Sequence, residues 1–441
     1  MFGIFGMLLG LAILIVLAYK GQSMMWVGPV AALVVAACGG LQLLPAYTST
    51  YMGGLVSFVL SWFPMFMLGA MFGKIMEVTG SAHSIARKLS GLIGSERAIL
   101  AVVISCGLLV YGGISLFVVV FAIYPIAVSL FREANLPRRL IPGCIACGAF
   151  TFSMTAFPGN PQLNNIIPTR YFGTNAMSGP VLGIIGGLIM LVGGVIWLSY
   201  RSKKMVAAGE CFDEPADLKE SAKEDEPNPF VALLPLIVVV LVLNLLPLFV
   251  DFPADMKSTY SIIIALLCGI ALSALLNFGK LKEVLKAIND GAAGSVSAIM
   301  NTSAVVGFGA VVKAVPGFAV LTEMVLGIQA SPLISLALSV TLLAGATGSS
   351  SGGMGIALEA LGDQYMQLAS VLNIDPGAYH RIASIASGGL DSLPHCGAVI
   401  TLLAVTGMNH KKSYADIGMV TVVIPCIATV AVVILGMMGV V

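Results

Sequence analysis

Long apolar runs fill most of this amino-acid sequence and leave few folds open to it. A helix needs about 20 apolar residues to cross a bilayer core, and such windows recur along the whole chain. They span residues 2–19, 24–45, 51–73, 138–170, 178–200, 230–250, 258–277, 293–315, 378–409 and 416–440. Because the runs are continuous rather than alternating, they exclude an outer-membrane barrel. With 58% hydrophobic and 10% charged residues, against about 25% charged in soluble domains, the chain is predicted to be an all-α polytopic protein of a lipid bilayer.

Two further apolar stretches, residues 97–130 and 332–371, are interrupted at their centres by glycine and serine. The first carries YGGIS at Tyr111–Ser115, and the second carries GATGSSSGGMG at Gly345–Gly355. Each half of these stretches has about 15 residues, which is too short to cross the bilayer core. We therefore predict two re-entrant helical hairpins with glycine-rich tips.

The basic residues of the loops agree with this arrangement, because lysine and arginine concentrate in cytoplasmic loops. If Met1 lies outside and both hairpins return to their own side, loop residues such as Lys20, Arg87 and Lys411 all lie in the cytoplasm. Counting either hairpin as a full crossing breaks the pattern. The net charge of +1 gives no reason to expect a nucleic-acid partner, and none is predicted.

The two halves of the chain resemble each other at an offset of 239 residues. Pro137 and Pro376 each open a span with an irregular centre, and Gly113 and Gly352 each lie at a hairpin tip. The first half starts outside and the second inside, so the repeats are inverted. Weak internal symmetry with interrupted helices at matching places is typical of secondary transporters.

This symmetry predicts two inverted repeats, each with about five transmembrane helices and one hairpin. The first covers residues 1–200, with a broken helix over about 138–170, and the second covers residues 230–441, with a broken helix over about 378–409. Between them, residues 201–229 are mixed in charge and bear prolines. We predict a solvated cytoplasmic linker there, with a regulatory segment as the alternative.

The hairpin tips are the first part of a predicted substrate site. Glycine-rich tips expose backbone N–H groups at helix ends, and these groups bind a small anion such as a carboxylate without a formal counter-charge. The alternative is that the small residues only allow close helix packing. The predicted substrate-binding residues of the two tips are Gly112, Gly113, Ser115, Thr347, Ser349, Ser350, Ser351 and Gly352.

The first broken helix contains the segment FPGNPQLNN at Phe157–Asn165, where two prolines interrupt the helical hydrogen bonds. Broken backbone at membrane depth is tolerated only where it lines a cavity or is buried in protein. Asn160 and Asn164 are predicted to bind substrate, since carboxamides both donate and accept hydrogen bonds. Alternatively, they satisfy carbonyls that the prolines leave free. Asn301, Thr302 and Ser303 either pack helices closely or border the same cavity.

The second broken helix holds Gly388, Gly389, Asp391, Pro394 and His395 in its irregular centre, which ends at Gly397. Ionisable residues at membrane depth cost about 2.5–3.5 kcal/mol on insertion scales and usually mark functional sites. Burial favours the protonated carboxylic acid, and histidine titrates near neutral pH. We predict that Asp391 and His395 carry a coupling proton. The alternative is a static hydrogen bond that holds the broken helix together.

Two pairs of charged or titratable residues near helix ends receive structural interpretations. Lys74 and Glu77 are three positions apart and are expected to form an ion pair on a helix. His380 and Arg381 open the second broken span, where Arg381 is interpreted as an interfacial anchor and, alternatively, as a guide for an anion.

At LGAMFGKIMEVTGSAHSIARKL (Leu68–Leu89) the sequence resembles the gluconate permease (GntP) family of organic-acid:proton symporters. The stretch SLPHCGAVITLLAVTGMNHKKSY (Ser392–Tyr414) is similar to its hydroxybutyrate-permease-like branch. The resemblance implies a protein of the bacterial inner membrane, a homodimer, and an elevator with scaffold and transport domains. The GntP family belongs to the wider ion-transporter superfamily. Where gluconate carriers are richer in histidine and proline, this chain has FPGNPQLNN, which favours a smaller monocarboxylate.

The sequence therefore predicts a secondary active transporter that carries a small organic acid anion together with a proton by alternating access. The expected substrate is a hydroxy acid similar to 3-hydroxybutyrate or gluconate. A sodium-coupled carboxylate transporter is the alternative, and an anion channel is a third. No enzyme motif occurs in a credible context, and no cofactor besides the coupling ion is expected.

Overall fold

The computed structural model describes residues 2–20, 22–214, 227–253, 256–318, 320, 331–394 and 396–441. Over these ranges the regular secondary structure is helical throughout. Seven helical segments of the described chain are long and apolar enough to cross a membrane. The predicted all-α membrane fold is thus confirmed at this level.

The chain opens with helices that precede the first hairpin. These are α1 (Phe2–Tyr19), α2 (Met24–Cys38), α3 (Met52–Val78) and α4 (Ser81–Ile93). A π-helical turn at Ala46–Tyr51 leads into α3. Helix α4 was not expected from the apolar windows, because it is short and carries polar residues between its apolar ones.

The first hairpin and first broken helix follow. The hairpin consists of α5 (Ala98–Tyr111) and α6 (Leu116–Glu133). The broken helix consists of α7 (Ile141–Phe150), a π-helical turn (Phe152–Ala156) and α8 (Leu163–Phe172). Helix α9 (Pro180–Ala207) then extends seven residues into the segment predicted as a linker.

The second half of the chain also contains a helical hairpin and a broken helix. Its first helices are α10 (Pro229–Phe249), α11 (Lys257–Leu276) and α12 (Leu281–Ala314). The second hairpin is α13 (Pro332–Thr347) and α14 (Ser350–Leu372). The second broken helix is α15 (Pro376–Ser387) and α16 (Gly397–Val405), followed by α17 (His410–Gly418) and α18 (Ile424–Met437).

Local sequence explains how the hairpins turn. Between α5 and α6, Gly113 has φ of +99°, and α13 ends at Gly348 with φ of +60°. Side chains rarely tolerate this left-handed region. The Ser349 hydroxyl then accepts a hydrogen bond from the backbone N–H of Gly352 at 3.2 Å and caps α14.

Two buried apolar clusters hold the helices together. The larger cluster joins the hairpins, the broken helices and α3, with fully buried side chains such as Phe72, Leu109 and Tyr365. The smaller cluster packs α1 and α2 against α12 through residues such as Leu14 and Val311. The expected ion pair on α3 is confirmed, with Lys74 Nζ at 2.9 Å from Glu77 Oε1.

The second hairpin depends on a glycine where its arms touch. A Cβ atom at Gly353 would lie 2.1 Å from the backbone nitrogen of Ala344 on the opposite arm. We expect Gly353→Ala to destabilise the protein by about 1–3 kcal/mol through overpacking, measured as a lower Tm in detergent. The matched control is Gly397→Ala, since a Cβ at Gly397 meets no atom within 4 Å. Equal Tm values for the two variants would contradict this account.

Candidate functional site

A cavity of about 730 Å³ lies where the two hairpin tips and the two helix breaks meet. These four irregular segments form one wall, which we call the tip wall. The rest of the lining, which we call the helix wall, comes from α3, α11, α12 and the segment before α2. Representative residues of the helix wall are Phe66, Leu266, Ser297, Asn301 and Ser23.

The first tip and the first break are tied together by side-chain bonds to the backbone. Gly113 and Ser115 line the cavity, as does Gln162. The Gln162 amide donates to the carbonyl oxygen of Val110 at 2.6 Å, and the Tyr111 hydroxyl donates to that of Pro158 at 2.9 Å. This tip is therefore held against the break by side-chain hydrogen bonds to backbone carbonyls.

Three residues predicted at this part of the site differ in where they lie. Gly112 does not line the cavity, because it packs against Leu236, which a Cβ atom would meet at 2.3 Å. Asn160 is completely buried, donates to the Phe157 carbonyl and accepts from the Gln162 N–H at 3.0 Å. These bonds fit the alternative interpretation, in which Asn160 satisfies backbone groups that the prolines leave free. Asn164 does line the cavity, and its amide donates to the Ser387 hydroxyl at 2.8 Å.

The second tip contributes hydroxyl groups and the first turn of α14. Ser349, Ser350, Ser351 and Gly352 all line the cavity. Because the first N–H groups of a helix lack intrahelical partners, this turn offers donors and positive dipole to an anion. The side chain of Thr347 lies outside the described residues.

Asp391 is the acidic residue of the site. It lines the cavity although only 5% of it is exposed, and the Ser392 hydroxyl donates to its Oδ1 at 3.0 Å. The Tyr414 hydroxyl donates to the Ser392 carbonyl at 3.2 Å and fixes this loop. Among the described lining residues, Asp391 is the one carboxylate, and none is basic. His395, its predicted partner, lies outside the described residues.

Sequence reasoning missed part of the helix wall. Asn301 and Thr302 do border the cavity, the second of the two interpretations given for them, whereas Ser303 is completely buried and does not line it. Ser23, which was not singled out, also lines it, and its hydroxyl donates to Asn301 Oδ1 at 3.3 Å. A serine before an apolar run signals only a helix cap, so its place in the cavity depends on tertiary packing.

The interpretation of Arg381 as an interfacial anchor is wrong. The side chain is completely buried and donates to the carbonyl oxygens of Ala156, Ala176 and Ser178 at 2.7–3.2 Å. Ala156 is the last residue before the first break, so Arg381 of the second broken helix holds the first one in place. The neighbouring His380 contacts Asn165 Oδ1 at 3.2 Å through Nε2. An arginine was expected at the interface because its charge is costly to bury, but here backbone carbonyls satisfy it, one at the first break and two in the loop between α8 and α9.

Comparison with known proteins agrees with this architecture. The family model described as GntP family permease matches residues 2–361 of this chain. A relative in Bacillus subtilis (strain 168), named uncharacterized transporter YxjC, is 43% identical over 451 residues, covering 94% of this chain and 95% of its own. An uncharacterized transporter of Haemophilus influenzae (strain ATCC 51907 / DSM 11121 / KW20 / Rd) is 25% identical over 336 residues, covering 74% and 73%.

A similar fold has also been seen in a crystal structure. The YdaH transporter of Alcanivorax borkumensis matches with a TM-score of 0.54 and 16% identity over 89% of this chain and 87% of its own. At that identity the likeness concerns the fold alone. The sequence relatives are permeases and transporters rather than enzymes. Since the family model covers most of the chain and a relative at 43% identity spans nearly all of it, this multi-pass membrane transporter belongs to the GntP permease family.

Proposed function

We propose that the protein is a proton-coupled symporter of a small organic monocarboxylate, a hydroxy acid similar to 3-hydroxybutyrate or gluconate, in the bacterial inner membrane. The observation that carries this proposal is the charge of the cavity. It combines one buried carboxylate, Asp391, with neutral hydrogen-bond donors, and its described lining residues include no base. The coupling role of His395 stays a prediction.

A cavity of this kind links anion binding to proton binding. Two negative charges about 4 Å apart repel each other by about 4 kcal/mol at an effective dielectric constant of 20. An organic anion therefore binds far better when Asp391 carries a proton. By thermodynamic reciprocity, the bound anion also favours the proton on Asp391. Substrate and proton then cross together.

The neutral groups of the cavity suit a hydroxylated carboxylate. The first turn of α14 and the Ser351 hydroxyl offer donors to the carboxylate oxygens, while the Ser350 hydroxyl hydrogen-bonds to Asp391. The amides of Asn164 and Asn301 both donate and accept, as a substrate hydroxyl requires. A volume of about 730 Å³ falls within the usual size of small-molecule pockets.

Alternating access is proposed to move the tip wall against the helix wall, as in an elevator. Two polar contacts join elements of the two walls. Lys313 of α12 donates to the Glu359 carbonyl of α14 at 2.9 Å, and Arg170 of α8 donates to the Ser61 hydroxyl of α3. Such a movement would break both contacts. The homodimer that the family resemblance implies is part of the same proposal.

Transport in proteoliposomes tests the coupling ion. We expect an imposed pH gradient, acidic outside, to drive accumulation of labelled 3-hydroxybutyrate or gluconate without added sodium. Because one proton and one monoanion carry no net charge, clamping the membrane potential to zero with valinomycin and potassium should leave uptake unchanged. Uptake that needs a sodium gradient instead would establish the sodium-coupled alternative. Flux without saturation or counterflow would indicate a channel.

A further inference from the structure

Two amide side chains of the first break line the cavity, those of Gln162 and Asn164. Asn164 is only 3% exposed, so what it offers to a substrate depends on which atom of its amide group faces the cavity. An amide nitrogen donates hydrogen bonds, whereas an amide oxygen accepts them. The neighbours of the two side chains fix their orientation.

The orientation of Asn164 is set by a serine of the second broken helix. Asn164 Nδ2 lies 2.8 Å from the hydroxyl oxygen of Ser387, the completely buried last residue of α15. Ser387 donates its one hydroxyl hydrogen to the Ser384 carbonyl at 2.7 Å, so towards Asn164 it only accepts. The nitrogen of the Asn164 amide must therefore lie against Ser387, and the oxygen lies on the other branch of the planar group.

Gln162 is oriented in the same way by backbone carbonyls. Its Nε2 donates to the carbonyl oxygen of Val110 at 2.6 Å and lies 3.4 Å from that of Ile114. Within the described ranges, no group donates a hydrogen bond to Asn164 Oδ1 or Gln162 Oε1. Neither oxygen is one of the fully buried atoms without a partner. Since both residues line the cavity, these oxygens face it as free acceptors.

We propose that Asn164 and Gln162 make the site selective for a hydroxyl donor on the substrate, an inference that rests on the proposed transport of a small carboxylate. A substrate hydroxyl can donate to these oxygens. A keto group only accepts, so it would oppose one acceptor to another, and a methylene group offers no donor. The carrier thus separates a hydroxy acid from the keto acid and the unsubstituted acid of the same chain length. Ser387 is a positioning residue, because it acts through Asn164.

Competition for uptake in proteoliposomes tests this selectivity in the unmodified protein. The label is 3-hydroxybutyrate or gluconate, whichever is taken up. Unlabelled 3-hydroxybutyrate should inhibit at about tenfold lower concentration than acetoacetate or butyrate, because these two leave an acceptor without a donor. Equal inhibition by all three acids would overturn the inference and leave proton-coupled uptake intact. Absence of uptake of both labelled acids would remove the proposed function, and this inference with it.

The Ser387→Ala variant separates positioning from packing. Without an acceptor behind it, the Asn164 amide can turn and present its N–H to the cavity. Acetoacetate should then compete several-fold better relative to 3-hydroxybutyrate, while butyrate stays a poor competitor. The matched control is Ser384→Ala, another completely buried serine of α15, whose hydroxyl donates to the Thr155 carbonyl at 2.7 Å. It keeps the carbonyl that Ser387 needs, so its selectivity should be unchanged. The same change in both variants, or in neither, would contradict the positioning role.

Amide oxygens also suit a sodium ion, and the Asn164→Leu variant distinguishes the two ligands. If Asn164 accepts from the substrate hydroxyl, this variant should bring the inhibition by 3-hydroxybutyrate close to that by butyrate at every sodium concentration. Ser387 keeps its bond to the Ser384 carbonyl in this variant, so no buried donor is stranded. A rise in the sodium concentration needed for half-maximal uptake, with the preference for 3-hydroxybutyrate retained, would assign the oxygens to a cation and overturn the proposal.

Discussion

The Asp391→Asn variant is expected to lose accumulation of substrate driven by a pH gradient while still binding the substrate. The amide is neutral and nearly the same size, so it mimics the protonated acid toward an anion in the cavity. It can also keep the hydrogen bond that Ser392 donates to Oδ1. With no proton to release, however, the variant has no use for the gradient.

The same prediction can be checked through the pH dependence of substrate binding. On the proposed mechanism one proton accompanies each anion, so the affinity of the unmodified protein for substrate should fall by up to tenfold per pH unit once Asp391 is mostly ionised. In Asp391→Asn that fall should disappear. Isothermal titration with 3-hydroxybutyrate or gluconate at several pH values measures it, and counterflow in proteoliposomes checks that the variant still moves substrate.

Asp251→Asn is the control for Asp391→Asn. Asp251 is an exposed carboxylate that follows α10 and does not line the cavity. Its amide variant should accumulate substrate as the unmodified protein does. Accumulation by Asp391→Asn in response to an imposed pH gradient would show that Asp391 does not carry the coupling proton.

The positions of prolines and glycines predicted where the helices around the cavity are interrupted, because these residues act on the local backbone. Prolines remove backbone donors, and glycines permit left-handed turns. The chain is accordingly non-helical at 157–162, and it turns at Gly113 and Gly348. All of these features lie in segments that the sequence had marked as irregular. Asp391 could be singled out as a candidate site residue because an acid in an apolar run is costly wherever the helices pack.

Which of these residues face the cavity could not be predicted from the sequence in the same way. Gly112 and Gly113 are neighbours with the same side chain, yet only Gly113 reaches the cavity, while Leu236 of a distant helix covers Gly112. Asn160 and Asn164 looked alike in sequence, but the break turns Asn160 back onto its own backbone. The role of Arg381 was missed for a related reason, since its acceptors are carbonyls in the other half of the chain, which no sequence pattern reveals.

Arg381→Lys is expected to destabilise the protein strongly, although it keeps the positive charge. The guanidinium donates four hydrogen bonds to three carbonyl oxygens, those of Ala156, Ala176 and Ser178. A lysine ammonium is a point charge and lacks the planar fork that reaches acceptors on two sides. Leaving one or two buried carbonyls without a donor costs about 1–3 kcal/mol each. We therefore expect a clearly lower Tm in detergent.

The same substitution should also change transport, because of where its bonds end. Ala156 immediately precedes the break that carries Gln162 and Asn164 to the cavity. If the break loosens, the KM for substrate should rise even at temperatures where Arg381→Lys remains folded. Arg97→Lys is the control, since Arg97 is an exposed arginine at the start of α5 and its replacement should alter neither Tm nor KM. An Arg381→Lys protein with unchanged Tm and KM would mean that the two broken helices hold each other without this clamp.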